Sequence, residues 1–231
     1  DFEVQGPSEK NAEQVEVLLA ACRRENVDLR VDALEMADIT AKVVDVEAYA
    51  IERAFEFVSR QIDADDDSAI AIVDIGATMM AINILHNGES IYVRDQTFGG
   101  NQLTQEIHNQ FNLSPEDAEA AKRSGELPEN YKNDVLQPFC ETLSIEVMRA
   151  IQFFFTSTQY TEVNYIFVAG GCAVIPGLNE TITERTQVST LTVNPFSEMG
   201  LSGRVTSKQL NMDAPSLLIA CGLAMRSFDP S

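Results

Sequence analysis

The stretch Ala71-Ile-Val-Asp-Ile-Gly-Ala-Thr78 decides the fold of this 231-residue chain. Its apolar residues predict a buried β-strand, and Asp74 and Gly76 predict a tight turn at the end of that strand. Further along, Tyr165-Ile-Phe-Val-Ala-Gly-Gly171 is a second apolar strand followed by paired glycines. A carboxylate, a turn without side chains and a hydroxyl can hold a hydrated metal ion and a phosphate, while glycines let backbone approach a flat base. The two strand ends together predict a nucleotide-binding cleft.

The composition is that of a soluble globular protein with an acidic surface. Hydrophobic residues make up 45% and charged residues 23% of the chain, which is long enough to bury a core. The formal charge of −20 argues against nucleic acid or an anionic membrane as a direct partner. A bound magnesium ion and oriented N–H groups can still hold a phosphate, because distant carboxylates are screened by salt.

The cysteines indicate neither a zinc site nor a disulfide framework. Cys22, Cys140, Cys172 and Cys221 lie in apolar runs without Cys-x-x-Cys spacing, and the chain has two histidines. All four are therefore predicted to be buried thiols in a reducing compartment. No apolar run reaches membrane-spanning length, so no direct membrane insertion is expected. The chain starts at Asp1 inside a predicted strand and without Met, which indicates an N-terminally truncated fragment.

Residues 1–60 are predicted to form a β-β-α-β-α unit. The loop over residues 6–14 carries glycine, proline and asparagine, which favours an antiparallel pair between the alternating segments on either side. The other predicted elements are a helix at about 24–37, a strand at Lys42-Val-Val-Asp-Val46 and a helix at about 47–60. The polar run 63–68 is interpreted as a surface linker.

From residue 69 the predicted order is β-β-β-α-β-α-β-α, with additional helices after the first helix. The predicted strands cover residues 69–74, 78–86, 90–97, 163–168 and 188–193, and the predicted helices begin at Gly99-Gly100 or cover 114–124, 130–158, 177–186 and 214–228. Asn87-Gly88 predicts a hairpin turn, and Ser114-Pro-Glu-Asp117 predicts a capped helix start. Asp213 is predicted to cap the last helix, with Pro215 in its first turn. The order indicates an α/β protein of two related lobes.

Five motifs in this order resemble the actin-like ATPase superfamily and, within it, the PilM family of type IV pilus assembly proteins, which are relatives of FtsA. The motifs are Ala41-Lys-Val-Val-Asp-Val-Glu-Ala-Tyr-Ala50, Ile72-Val-Asp-Ile-Gly-Ala-Thr78, Thr97-Phe-Gly-Gly-Asn-Gln-Leu-Thr104, Val168-Ala-Gly-Gly171 with Pro176-Gly177, and Asp213-Ala-Pro-Ser-Leu-Leu-Ile-Ala-Cys-Gly-Leu-Ala224. The resemblance covers essentially the whole chain. It implies an actin-like, ribonuclease H-like fold with mixed sheets flanked by helices and an incomplete first lobe.

The resemblance also implies a division into domains. Residues 1–62 are expected to be the remainder of domain I, corresponding to subdomain 1A without its first phosphate hairpin and without the inserted subdomain 1C. Residues 63–68 are the expected linker. Residues 69–231 are expected to form domain II, with an inserted helical part at about 112–130. Because the first phosphate hairpin has no counterpart here, we expect nucleotide affinity to be weak or absent in this chain.

The resemblance assigns the second phosphate loop to Asp74, Gly76, Ala77 and Thr78. Asp74 is expected to act in catalysis and to bind the metal ion through water, while the N–H groups and the Thr78 hydroxyl contact the terminal phosphates. Taken alone, Asp74 would more simply satisfy its own turn. Met79 stands where relatives often have another hydroxyl, so at most slow ATP hydrolysis is expected.

Two further positions of the resemblance lie next to the phosphates. Glu47 is expected to reach a water or the metal ion across the cleft, as a second catalytic carboxylate. An acid favoured by the positive end of a helix is nearly as good an interpretation. Asp45 could share the role or simply end its strand. Gly99 and Gly100 are expected to form the loop under the phosphates, or merely a flexible helix start.

The nucleoside contacts are assigned to a glycine pair and an ion pair. Gly170 and Gly171 resemble the adenosine motif, with a tight strand-to-helix turn as the alternative. Glu119 and Lys122 resemble the ribose-contacting pair. The alternative for them is a surface ion pair one helical turn apart, which would contribute only about 0.2–0.5 kcal/mol. Gly222 resembles the small residue at which facing helices of the family pivot.

The implied function is a cytoplasmic ATP-binding scaffold of type IV pilus assembly, peripheral to the inner membrane through its protein partners. Its expected partners are the N-terminal cytoplasmic peptide of PilN, other pilus inner-membrane proteins and a further copy of itself, with ATP and Mg²⁺ as cofactors and twitching motility as the process. In the family the PilN peptide binds between the first lobe and subdomain 1C, so this chain would hold at most one side of that groove.

Two other functions stay open at this point. A small-molecule kinase of the same superfamily would need an acceptor pocket and a carboxylate base, for which only Asp45 and Glu47 are available. A nucleotide-free structural scaffold would keep the fold for assembly alone.

Overall fold

The computed structural model describes residues 1–8, 11–62 and 67–228. The chain divides into two compact units, Asp1–Val46 and Glu47–Ser231. The division therefore falls before the helix at residue 47, whereas the sequence predicted it at the linker 63–68. The reason is that this helix buries its apolar side in the second unit. Residues 63–66 of the predicted linker lie outside the described residues.

The first unit contains a two-stranded antiparallel sheet and one helix. Strands β1 (Phe2–Ser8) and β2 (Asn11–Leu19) form the predicted antiparallel pair, with Phe2 opposite Leu19, and helix α1 spans Arg24–Glu35. The predicted loop 6–14 is too long, because both strands extend into it. None of the described residues of this unit is buried. Cys22 is therefore exposed, and the prediction that all four cysteines are buried is wrong for this one.

The predicted strand at residues 42–46 does not form. The segment has no strand assignment, and Val43 and Val44 are 56% and 52% exposed. A strand exists only when a neighbouring strand supplies ladder hydrogen bonds. Among the described residues the sheet of this unit consists of β1 and β2 alone. The valines of residues 42–46 favour a strand, but no described strand lies beside the segment to pair with it.

The second unit is built on a five-stranded mixed sheet. The strands are β3 (Ala69–Ile75), β4 (Met80–His86), β5 (Glu89–Gln96), β6 (Tyr165–Ala169) and β7 (Ser189–Thr192). Their order is β5-β4-β3-β6-β7, in which β3, β6 and β7 run parallel while β4 is antiparallel to both of its neighbours. The predicted mixed sheet is confirmed in every strand to within a few residues.

Helices cover both faces of this sheet. Their bounds are α2 (Glu47–Ser59), α3 (Gly100–Phe111), α4 (Pro115–Ser124), α5 (Gln137–Ser157, preceded by a π-helical turn at Lys132–Leu136), α6 (Leu178–Thr186), α7 (Ser207–Asp213) and α8 (Leu218–Met225). One core lies on the side of α3, α5 and α6 and contains Ala71, Val73 and Ile75 of β3. The other lies on the side of α2 and α8 and contains Ile70 and Ile72, because successive side chains of a strand point to opposite faces.

The predicted last helix, 214–228, is divided in the structure. Helix α7 ends at Asp213, whose side chain caps nothing, and 3₁₀ turns at Ala214–Leu217 and Arg226–Phe228 flank α8. The Asp213 cap is therefore wrong. Pro215 cannot donate the backbone hydrogen bond of a continuous helix, so the chain tightens at this point. Helix α7 buries no residue, so it needs no apolar periodicity, and its sequence has none that would predict a helix.

The local signals at the Asn87-Gly88 turn and at the ends of α4 are confirmed. Asn87 and Gly88 have φ angles of 55° and 81°, as a type I′ hairpin turn requires. The Ser114 hydroxyl accepts a hydrogen bond from the Asp117 N–H at 3.0 Å, and Gly125 ends α4 with a φ of 74°. Each signal depends on one or two residues and their own backbone, so the sequence alone sufficed to detect it.

Candidate functional site

The ends of β3 and β6 lie side by side at the edge of the second sheet. Asp74 is paired with Ala169 in the parallel ladder, and the glycine pair follows directly. Gly170 has a φ of +82°, and a Cβ added there would lie 2.4 Å from the Ile75 carbonyl oxygen and 2.5 Å from Asp74 Oδ1. The Asp74 carboxylate therefore lies against the backbone of Gly170, where only glycine fits.

The turn after β3 presents unused backbone N–H groups. The Gly76 N–H donates to the Met79 carbonyl at 2.9 Å and closes the turn, while Ala77 and Thr78 are exposed. No described residue accepts a hydrogen bond from the N–H groups of Ala77 and Thr78. Successive free N–H groups in a turn form a concave site for an anion. Thr78 adds an exposed hydroxyl beside them.

The N-terminus of α3 is joined to the same turn. The N–H groups of Gly100 and Asn101 donate to the carbonyl oxygens of Gly76 and Ala77, at 3.0 and 2.8 Å. A Cβ on Gly99 would lie only 2.5 Å from the Ala77 oxygen, so the absence of a side chain allows this contact. The first turn of α3 thus holds the turn 76–79 in place through these two hydrogen bonds.

The carboxyl group of Asp74, at the end of β3, has a strongly shifted pKa. Burial, together with the negative charge of Glu47 as a smaller contribution, raises the pKa of its carboxyl to about 6. Glu47, the first residue of α2, therefore acts electrostatically on Asp74 within the second unit. Asp45 belongs to the first unit, where its carboxylate accepts a hydrogen bond from the Val46 N–H at 2.8 Å.

The strand ends do not form a metal site made of protein ligands alone. Within residues 1–8, 11–62 and 67–228, no group of three or more histidine, cysteine, aspartate or glutamate side chains could hold a metal ion. A magnesium ion commonly keeps several waters and needs few carboxylates when phosphates supply oxygens. One partly buried carboxylate beside free N–H groups fits a hydrated magnesium ion bound together with a phosphate.

Glu119 and Lys122 form a denser network than a surface ion pair. Their side chains are 2.6 Å apart and 33% and 20% exposed, and Arg123 binds the second carboxylate oxygen of Glu119 at 2.8 Å. Burial alone would raise the pKa of Glu119, but hydrogen bonds from Lys122, Thr104 and Arg123 outweigh it and lower the pKa to about 2. Glu119 is therefore a fixed anion at every physiological pH.

Two residues of the site were not assigned a role from sequence. Thr104 donates to Glu119 and accepts from Lys122, each at 2.7 Å. It stands one turn after Gly100, and this spacing was the signal that could have found it. Cys172 donates its N–H to the Ile75 carbonyl at 3.2 Å and is buried, with its Sγ 3.6 Å from the Gly76 carbonyl oxygen. Its neighbour Gly171 is exposed, and a Cβ there would meet no atom within 4 Å.

Comparison with known proteins gives the chain a family. The sequence model of the type IV pilus assembly protein PilM matches residues 1–228. The chain belongs to the PilM family. A solved PilM–PilN type IV pilus biogenesis complex contains a chain that is 28% identical, with a TM-score of 0.81 over 100% of this chain and 66% of that one.

More distant solved structures share the fold. The ethanolamine utilization protein EutJ from Carboxydothermus hydrogenoformans is 18% identical with a TM-score of 0.64, covering 89% of this chain and 62% of EutJ. MreB5 of Spiroplasma citri bound to ADP is 13% identical with a TM-score of 0.57, covering 89% of this chain and 66% of MreB5. The chain thus spans less than two thirds of the length of the solved relatives named here. The predicted actin-like fold is confirmed.

The described part of this PilM-family chain contains no helix that is both long and apolar enough to span a membrane.

Proposed function

We propose that this chain is an actin-like, ATP-binding scaffold of type IV pilus assembly that binds the N-terminal cytoplasmic peptide of PilN. The observation that carries the proposal is the match of the whole chain, at 28% identity, to a chain of the PilM–PilN complex. The family match over residues 1–228 supports the same assignment. The scaffold would work in the cytoplasm, held at the inner membrane by PilN and other pilus proteins.

Nucleotide binding is proposed from the group of residues at the strand ends. The free N–H groups of Ala77 and Thr78 would hold terminal phosphates, above the helix start at Gly99-Gly100. A magnesium ion would neutralise phosphate charge when bound, and Asp74 would orient its water shell. The open backbone of Gly171 would receive the base. The ADP-bound state of MreB5, a protein of the same fold, supports a nucleotide as the ligand class.

The raised pKa of Asp74 supports this assignment. A partly buried carboxylate beside a second negative charge is unfavourable when ionised, and a bound cation removes that cost. With one exposed hydroxyl in the turn and with Glu47 as the second carboxylate, we expect hydrolysis to be slow at most. No observation in the described residues favours a phosphate acceptor, so a kinase is not proposed.

The nucleotide part of the proposal is tested by calorimetric titration of ATP, with and without Mg²⁺, into the full-length gene product. Asp74→Asn should weaken magnesium-dependent binding by about tenfold or more, because hydrogen bonds to a charged group typically contribute 1.5–3 kcal/mol. Magnesium-free binding should change little. Asp95→Asn on the edge strand β5 is the matched control. Equal affinities of the Asp74 variant and the native protein would contradict the metal assignment.

The partner is tested with a fluorescently labelled peptide of the PilN cytoplasmic N-terminus. Fluorescence anisotropy should show saturable binding to the full-length gene product, and a peptide of the same composition in scrambled order should not bind. The titration is repeated with Mg²⁺ and ATP, since a nucleotide that biases the binding-competent state changes the apparent affinity. No binding under either condition would contradict the scaffold function. Sedimentation of the same samples gives the oligomeric state.

A further inference from the structure

We propose that Thr104 is a positioning residue that orients Glu119 towards the ribose hydroxyls of a bound nucleotide. The proposal rests on the proposed ATP binding. Thr104 belongs to α3 and Glu119 to α4, so the contact joins two helices. Thr104 itself does not need to touch the nucleotide. It acts by holding the two charged side chains that face it.

The hydrogen-bond inventory shows how tightly Lys122 is held. Its ammonium group has three hydrogens. They are directed at Glu119 Oε2 at 2.6 Å, at Thr104 Oγ1 at 2.7 Å and at the Gly100 carbonyl oxygen at 3.4 Å. All three donors are therefore used within the protein. Lys122 is fixed beside the first turn of α3, the same turn that supports the phosphate-binding residues.

The inventory of Glu119 leaves room for a ligand. An ionised carboxylate accepts about four hydrogen bonds. Glu119 Oε2 accepts from Lys122 and from Thr104 at 2.7 Å, and Oε1 accepts from Arg123 at 2.8 Å. One acceptor position on Oε1 is left, and a ribose hydroxyl is a donor of suitable size. The low pKa of Glu119 keeps that acceptor ionised.

The Thr104 hydroxyl is the element that gives this acceptor one direction. The hydroxyl donates to Glu119 at 2.7 Å in preference to the Gly100 carbonyl at 3.3 Å, and its lone pair accepts from Lys122. It therefore closes a three-membered ring of hydrogen bonds with the ion pair. Without the ring, a pair one turn apart on a helix contributes little and samples several rotamers.

The proposal is tested with Thr104→Val, which removes the hydroxyl and keeps the shape, and with Thr104→Ser, which keeps the hydroxyl. Thr142→Val is the matched control, because among the described residues the Thr142 hydroxyl bonds only the carbonyl four residues earlier in its helix, Pro138, at 2.9 Å. Calorimetry on the full-length gene product compares ATP with 2′,3′-dideoxy-ATP. We expect the native protein to prefer ATP by about tenfold or more. Thr104→Val should lower that preference to about threefold or less, whereas Thr104→Ser and Thr142→Val should keep it.

A second measurement needs no nucleotide. The Glu119 carboxyl is titrated by ¹³C NMR, and Thr104→Val should raise its pKa by about one unit through the loss of one hydrogen bond. An unchanged pKa would overturn the proposal, whatever the protein binds. A raised pKa with equal losses of affinity for both nucleotides would also overturn it, because the change would then be structural only. If the native protein bound neither nucleotide, the proposed ATP binding would fail and the ribose role with it.

Discussion

The contact between α2 and α8 makes a strong prediction about Gly222. A Cβ added to this glycine would lie 1.7 Å from the carbonyl oxygen of Ala50 and 2.5 Å from its carbonyl carbon. Arg53 crosses the same contact and donates from Nε to the Gly222 carbonyl at 3.1 Å. The obstacle is backbone rather than a flexible side chain, so Gly222→Ala forces the two helices apart.

The size of the effect follows from three terms. To restore an ordinary carbon–oxygen contact, the two helices must move apart by about 1.5 Å. A gap of even 0.5–1 Å between facing atoms already loses a quarter to a half of their dispersion energy. Ala50, Ile51 and Ala54 of α2 are almost completely buried and would lose such contacts. Overpacking costs about 1–3 kcal/mol, with a rigid backbone at the upper end, while alanine improves helix propensity by about 1 kcal/mol. We expect a net loss of about 2 kcal/mol.

The assay is equilibrium unfolding in urea, followed by circular dichroism. A loss of about 2 kcal/mol also lowers the thermal midpoint by roughly 4–8 °C in a domain of this size. Gly200→Ala is the control, since a Cβ there would meet no atom within 4 Å, and it should change stability by less than about 0.5 kcal/mol. Adding Ala50→Gly should not rescue Gly222→Ala, because the clash is with the Ala50 backbone. Native stability of Gly222→Ala would refute the close helix contact.

Three further substitutions are tested by urea unfolding. Asp74→Asn should stabilise the ligand-free protein by up to about 3 kcal/mol above pH 6 and have no effect below pH 3.8. The reason is that the free-energy cost of ionising Asp74 in the folded protein appears as the pH rises from its unfolded pKa of 3.8 to its raised pKa of about 6. A stability difference that does not depend on pH would contradict this. Gly99→Ala places a Cβ 2.5 Å from the Ala77 oxygen and should cost about 1–3 kcal/mol, and a neutral effect would show that the turn yields. Ser114→Ala removes the cap on the Asp117 N–H and should cost about 1 kcal/mol, whereas Ser114→Asp should keep the native stability.

The strands around Asp74 were predictable because their signals are local. Alternation and apolar runs in the sequence located β3 to β7. Glycine and asparagine residues, some of which adopt a positive φ in the structure, located the turns. The parallel pairing of β3 with β6 then brings Asp74 next to Gly170 without any further assumption. Much of the candidate site was therefore visible in the chain, since its residues lie at strand ends and strand ends are marked by glycine.

The failures have a common physical cause. Residues 42–46 have the pattern of a strand, but among the described residues no neighbouring strand pairs with them. Cys22 lies in an apolar run, yet it is exposed, and none of the described residues of the first unit is buried. Propensity describes one segment, whereas pairing and burial depend on a second segment far away in sequence.

By itself, the sequence determined the α/β class, the strands of the second unit along the chain, the Asn87-Gly88 turn, the Ser114 cap, and membership of the PilM family through motifs that follow one another along the chain. Only the tertiary structure decided that Thr104 closes a ring of hydrogen bonds with Glu119 and Lys122, that the charge of Glu47 raises the pKa of Asp74, and that Gly222 must lack a side chain. Helices and turns are set by interactions within a few residues. Hydrogen bonds between helices, shifted pKa values and close packing depend on distances that exist only once the chain has folded.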